Sequence, residues 1–357
     1  MSEKVLMKGN EAIAEAAIRA GCRHYYGYPI TPQTEIAAYM SKRMPKIGGT
    51  FLQAESEIAA INMVYGTAAT GRRVMTSSSS PGVSLKAEGI SYLAGADLPA
   101  LIVNVQRGGP GLGGIQPSQS DYHFMTRGPG HGDFRVIVLA PASVQEMADM
   151  TSLAFELGEK YRMPAVLFAD GTMGQMMEPV VLPEKTVDPE GIPATKPWAT
   201  TGTGCKRPHN IVNSLYLKPD DLEKTNLERF ERYAKLEKDE CRWEEYLMDD
   251  AEICIVSVGI TSRVSKNAIV EARKRGIKVG MIRPITLFPF PKAPLAKAAE
   301  KVKAFLTVEL NMGQMAEDVA LVTKSAKPIA MCNRVGGMIP STDEVVAAIE
   351  KLAKEGK

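Results

Sequence analysis

Strands that are apolar on both faces constrain this chain more than any other feature. The stretches "PALIVNVQR", "FRVIVLAPAS" and "MPAVLFADG" carry Val, Ile, Leu, Phe and Ala in near-continuous runs. A strand with one wet face would alternate instead. Such strands must be covered above and below, and parallel strands joined by crossover helices do this. The segments between them read as those helices. "NEAIAEAAIRAG" has an Ala-rich body, Asn10 as a candidate N-cap and a stop at Gly21. "TPQTEIAAYMSKRM" restarts a helix, with Thr31 able to cap it and Pro32 suited to the first helical position. "SEIAAINMVYGTAATG" and "PGVSLKAEGISYLAG" follow "GTFLQAE" and "RRVMTSSS". About six strands are expected between residues 22 and 170.

The pattern breaks after residue 182. "VLPEKTVDPEGIPATKPWATTGTGCKRPHN" is rich in Pro, Gly and Thr and reads as a linker or arm. "DDLEKTNLERFERYAKLEKDECRWEEYL" then reads as one charged amphipathic helix. From Ala251 a second α/β unit begins, with strands "ICIVSVGI", "KVGMIRPI", "AFLTVEL" and "PIAMCNRVG". The expected division is 1–182, 183–250 and 251–357.

Charge and cysteine content narrow the function. Lys and Arg number 43 against 41 Asp and Glu, a net charge of +2, which gives no reason to invoke nucleic acid or an anionic membrane. No apolar run reaches the roughly 18 residues of a membrane span. "MSEKVLMKGNEA" has no signal-peptide core, so a cytoplasmic protein is expected. Cys22, Cys205, Cys241, Cys254 and Cys332 are scattered without a CxxC pair. Zinc and iron–sulfur sites need clustered thiolates, so neither, nor any other metal site, is expected in this chain.

Ligands of doubly wound sheets bind beyond the carboxyl ends of the strands. Four segments lie there. "GYPITPQ" makes a stiff turn into a helix N-terminus, suited to an anion. "FLQAESEIAAINMVYGTAATG" places Glu57 in the first turn of a helix without another charge, capped by Ser56 or Glu55. That composition predicts a helix buried on nearly all sides, whose carboxylate needs a partner or a raised pKa; complementing the helix dipole is the competing role. "TSSSSPG" reads as a tight turn of hydroxyls and amides, able to hold a polar group or to satisfy itself. "NVQRGGPGLGGIQPSQSDYHFMTRGPGHGDFR" delivers Arg107 into a Gly-rich loop, a lid with one guanidinium able to grip a carboxylate by two bonds. His123 and His131 in this loop are either polar fillers or bases. No P-loop lysine follows "GGPGLGG".

Together and in this order, "KGNEAIAEAAIRAGC", "GYPITPQTEI", "FLQAESEIAAINMVYGTAATG", "VMTSSSSPGVSLKAEGISYLAGADLP", "VNVQRGGPGLGGIQPSQSDY" and "HGDFRVIVLAPASVQEM" resemble the α subunit of thiamine-diphosphate-dependent 2-oxoacid:ferredoxin oxidoreductases. The branched-chain, 2-oxoisovalerate type is the most similar. "RPITLFPFP" and "VELNMGQM" extend the resemblance more loosely into the second unit. It implies a pyrimidine-type thiamine-diphosphate-binding sheet domain followed by a transketolase C-terminal-like domain. It also implies oxidative decarboxylation of a branched-chain 2-oxoacid, with coenzyme A as acceptor and ferredoxin reduced. A separate β subunit would hold the diphosphate through Mg²⁺ and carry an iron–sulfur cluster, with γ and ferredoxin-like δ subunits completing electron transfer.

By the same resemblance Glu57 matches the catalytic glutamate that bonds the pyrimidine nitrogen. Pro29 and Ser80 lie beside the cofactor. Thr31 and Arg107 contact the 2-oxoacid. The alternatives are the 2-oxoglutarate enzyme, which needs a second cationic contact, and a non-catalytic scaffold that keeps the fold.

Overall fold

The computed structural model describes residues 4–183 and 196–355; the part of the arm at 184–195 lies outside them. A seven-stranded sheet organises the first half. From edge to edge its strands are Thr286–Phe288, Ile137–Leu139, Ala165–Asp170, Leu101–Gln106, Val74–Ser78, His24–Gly27 and Thr50–Gln53. All neighbours run parallel except Thr286–Phe288, which joins Ile137–Leu139 antiparallel. The six strands expected between residues 22 and 170 are present. Every residue of Val74–Ser78, Leu101–Gln106 and Ala165–Asp170 is buried, as their apolar runs require. One face packs Ile61, Val64, Val83, Ile90 and Leu93; the other packs Ile13, Ile36, Met40, Met147 and Phe155.

The second sheet has five strands in the order Ile329–Asn333, Ala304–Glu309, Ile253–Ser257, Val279–Pro284 and Trp243–Tyr246. Its first four are the expected parallel strands. The fifth, Trp243–Tyr246, is antiparallel and was not expected. The charged helix occupies only Pro219–Asp239, and the chain then turns into that strand. A four-residue strand with two adjacent glutamates, as in "WEEY", leaves little apolar signal. A two-stranded pairing of Lys4–Lys8 with Met177–Val181 was also not foreseen. Among the described residues no helix is long and apolar enough to cross a membrane.

Several local expectations change. Lys8, not Asn10, stands at the cap position of the first helix, Gly9–Arg19, and its backbone N–H donates to Glu11 Oε2 at 3.3 Å. Asn10 is buried inside that helix and donates to the Pro32 carbonyl and to Glu35, both at 2.8 Å. The second helix starts at Thr34 rather than Pro32, with Gln33 at its cap position; Thr31 is exposed and caps nothing. "TSSSSPG" is not a tight turn: the chain passes from strand into the helix Ser80–Leu85, and a break at Lys86 starts Ala87–Gly95.

The two sheets are stitched together. Gln119 donates to the Val258 carbonyl (2.9 Å) and accepts the Leu310 N–H (3.1 Å), while its own carbonyl accepts Asn311 Nδ2 (3.0 Å). Tyr122 donates to Asp318 at 2.7 Å, and Arg283 grips Glu146 with both terminal nitrogens. The carboxyl ends of the two sheets thereby face a common cleft.

Candidate active site

Glu57 opens the helix Glu57–Ala69, whose N-cap Ser56 accepts the Ala59 N–H at 3.1 Å. Glu57 is 6% exposed, whereas Glu55 is exposed. The helix itself is not buried all round. Ile58, Asn62 and Gly66, spaced four apart, form an exposed stripe, and Ile58 is half exposed. Lack of charge on this helix therefore does not mean full burial within the chain.

The Glu57 carboxylate leans on the backbone of Gly82. A Cβ at position 82 would stand 2.5 Å from Glu57 Oε1 and still closer to Ser78 Oγ. Glycine is thus required for the Ser80–Leu85 helix to approach the carboxylate so closely. The Ser78 and Ser79 hydroxyls are buried and make no hydrogen bond. Behind them lies Lys86, fully buried, whose Nζ donates to Thr76 Oγ1 at 2.8 Å. Burial pushes the Lys86 amine down to about 7, against the opposing pull of the Glu57 charge.

Arg107 directly follows the strand Leu101–Gln106 and is 8% exposed. Its Nη1 donates to the Thr31 carbonyl (3.0 Å) and its Nη2 to the Leu112 carbonyl (3.2 Å); Nε is buried without a partner. The Gly-rich loop is folded back on itself, with Gly108 N–H on the Gln116 carbonyl and Gly114 N–H on Gly108, both at 2.9 Å. Ser80 Oγ accepts the Arg107 N–H (3.2 Å) and donates to Asp121 (2.7 Å). Asn104 also donates to Asp121, at 2.8 Å. Burial raises the Asp121 carboxyl, and those two bonds partly oppose it.

The structure thus brings Thr31, Arg107 and Ser80 into one bonded cluster. The short helix after Ser80 connects that cluster to Glu57 through Gly82. Pro29 is exposed on the Thr31 loop, which Gln33 pins by donating to the Tyr28 carbonyl at 3.3 Å. His123 is held by Gln314, and the His131 ring stands edge-on to Tyr92. Lys86, Gly82, Ser78 and Asp121 were missed by sequence reasoning. Lys86 had a signal, since "GVSLKAEGISYLAG" carries a single cation among mostly small and apolar residues.

A cavity of about 880 Å³ opens beside Arg107, lined by Ser80, Asp121, Asn311, Gln314 and Gly336 among others. It lies at the carboxyl ends of strands from both sheets, where such folds bind ligands. A smaller cavity of about 480 Å³ lies on the other side of Thr31, bounded by Glu35, Gln116 and Gln175. Arg107 is the one cation among the described residues lining these two spaces.

Comparison with known proteins matches residues 15–240 to a family model described as pyruvate flavodoxin/ferredoxin oxidoreductase, thiamine diphosphate-binding. Residues 251–345 match pyruvate:ferredoxin oxidoreductase core domain II. The ketoisovalerate oxidoreductase subunit VorB of Methanothermobacter marburgensis is 50% identical, over 98% of both chains. The 2-oxoglutarate synthase subunit KorA of Methanocaldococcus jannaschii is 37% identical, over 96% of this chain and 98% of its own. Among solved structures, the 2-oxoglutarate:ferredoxin oxidoreductase of Magnetococcus marinus, with 2-oxoglutarate, coenzyme A and succinyl-CoA bound, aligns with a TM-score of 0.85 at 27% identity. The alignment covers 98% of this chain and 65% of that one.

Proposed function

Since this chain belongs to the pyruvate flavodoxin/ferredoxin oxidoreductase family, as a subunit of a 2-oxoacid:ferredoxin oxidoreductase, we propose that it supplies the pyrimidine side of a thiamine diphosphate site that decarboxylates a branched-chain 2-oxoacid. One observation carries the reading: one short helix at the carboxyl edge of the sheet has a buried carboxylate, Glu57, against its Gly82 and a buried arginine, Arg107, bonded through the arginine N–H to its Ser80. The proposed division of labour follows the segments 1–182, 183–250 and 251–357, with the site on the first.

The residues present fit the cofactor. A Gly82 backbone shaped around Glu57 and two buried hydroxyls without partners, Ser78 and Ser79, suit a flat heteroaromatic ring with donors and acceptors on its rim. When bound, thiamine diphosphate supplies the carbon nucleophile and the electron sink. Glu57 would hold a proton between its carboxylate and the pyrimidine nitrogen. Pro29, and the backbone around Ser80, would wall the ring. Arg107 would exchange the Thr31 and Leu112 carbonyls for the carboxylate of the 2-oxoacid, a stronger, charge-assisted partner. Thr31 would then present its hydroxyl to the same substrate. The Leu112 segment, released from Arg107, would exclude water from the reacting centre.

The 50% identity to a ketoisovalerate oxidoreductase subunit supports the branched-chain substrate. So does the absence of a second lining cation, among the described residues, for a distal carboxylate. In this reading Mg²⁺, the diphosphate and the iron–sulfur clusters belong to β, γ and δ partners in the cytoplasm, with coenzyme A and ferredoxin as co-substrates. Exposed Ile58, Leu52, Leu85 and Tyr28 flank the site and would be covered by the β partner.

The assembled complex should turn over 2-oxoisovalerate with a kcat/KM well above that for 2-oxoglutarate. The reverse preference would move the chain to the 2-oxoglutarate type. Thiamine diphosphate titrated into the complex of this chain with its partners should bind in the wild type and far more weakly in Glu57→Gln. No affinity in either would leave a scaffold.

A further inference from the structure

Lys86 is the one fully buried lysine among the described residues, and the roles proposed above leave it unused. It sits at the joint between the helices Ser80–Leu85 and Ala87–Gly95, where its N–H bonds the Val83 carbonyl and its carbonyl accepts the Ile90 N–H. Its side chain runs inward onto the sheet. Thr76 is its single hydrogen-bond acceptor among the described residues. Thr76 and Ser78 are two apart on one strand and so share a face, the face on which Glu57 and Gly82 meet. The row from the cleft inward is therefore Glu57, Ser78, Thr76, Lys86.

An ammonium carries three donors, and burying it with one neutral acceptor is unfavourable. A methionine would fill the same space without that penalty. Among the described residues, Glu57 is the one charged group that pulls on the amine. Glu88, on the following helix, is exposed and bonded to Tyr92. Asp121 is engaged by Ser80 and Asn104 on the cleft side. The strand Leu101–Gln106 brings only neutral Asn104 and Gln106 to this region. The amine is thus placed to act on one group alone.

We propose that Lys86 is a positioning residue for Glu57: anchored on Thr76, its amino group balances the carboxylate from the protein side and sets the charge that Glu57 presents to the pyrimidine. This rests on the reading of Glu57 as the cofactor's partner. A carboxylate that shares a proton with a ring nitrogen must keep its basicity. A permanent cation behind it would lower that basicity. A purely apolar neighbour would leave its charge to burial alone. An amine held in this apolar setting avoids both extremes, because burial keeps it from being a permanent cation while it remains able to carry charge beside the carboxylate.

The first experiment follows the Lys86 side chain by NMR in the full-length chain labelled at lysine, without cofactor. Lys86 should titrate near neutrality in the wild type and move to lower pH, by about one unit, in Glu57→Gln. Identical titrations in the two proteins would overturn the coupling. The second compares wild type with Lys86→Met in the assembled complex. The variant should keep its melting temperature and its KM for the 2-oxoacid. It should lose kcat by roughly tenfold or more and lose the limb near neutrality in its kcat/KM profile. Wild-type kcat with that limb intact would overturn the role. If the variant does not fold, the NMR arm decides. Glu57→Gln binding thiamine diphosphate like wild type would strike at the cofactor reading, whereas a Lys86 titration blind to Glu57 strikes only at this one.

Discussion

Gly82 lies two residues into a helix where alanine would ordinarily be preferred, so its presence is a local penalty of up to about 1 kcal/mol. What it permits is contact between the helix backbone and the Glu57 carboxylate. Gly82→Ala should therefore leave the unfolding free energy nearly unchanged or lower. It should displace Glu57 and Ser78, weakening thiamine diphosphate binding by roughly tenfold or more, as calorimetry on the complex would report. Arg107→Ala makes a different prediction. Its guanidinium now serves backbone carbonyls, so removing it should raise the KM for the 2-oxoacid much more than it lowers kcat. An unchanged KM would remove Arg107 from the carboxylate site.

At the scale of elements, the helix Glu57–Ala69 teaches most. The sequence showed its N-terminal serine and acid, and the structure has Ser56 as the cap; Ser56→Ala should cost about 1 kcal/mol in chemical denaturation. Its uncharged body suggested burial on all sides, yet Ile58, Asn62 and Gly66 face outward. Composition reports how much apolar surface an element must hide, not whether its own chain does the hiding. Ile58→Glu should leave the melting point of the isolated chain within a degree or two and prevent assembly with the partner, read by light scattering.

The parallel strands were legible because both of their faces are wrapped within the chain. Trp243–Tyr246 and Thr286–Phe288 were not, because each is an edge of three or four residues whose pairing is decided by distant neighbours. Of the site, the loops and their charged residues could be read from order along the chain. The Glu57–Gly82 contact and the Thr76–Lys86 bond could not, since both depend on how two helices settle on one sheet.

For the whole molecule, the join between the two sheets should control both stability and its pH dependence. Gln119 satisfies a buried carbonyl and a buried N–H of the second unit. Gln119→Ala should lower the unfolding free energy by about 2 kcal/mol. Asp170 stands at the same seam, where its carboxylate caps the helix Gly171–Gln175, and burial pushes it up to about 6 despite bonds from the Met173, Thr172 and Ile260 N–H groups. The unfolded carboxyl titrates near 3.9. Between about pH 4 and 6 the folded chain therefore holds a proton that the unfolded chain has lost. This contribution is full below pH 4 and fades as pH rises through 6. The stability difference between wild type and Asp170→Asn, followed by denaturant melts across that window, should move against the wild type as pH rises.

The strand Thr286–Phe288 leaves the second half of the chain to complete the sheet of the first. A protein severed near residue 250 would thus shed the outermost ribbon of its cofactor-bearing half, baring the amides and carbonyls of Ile137–Leu139. Two separately expressed fragments should clump through that raw border when apart and recover solubility only when produced together, so the chain should not part cleanly at the place where its folded units look most divisible.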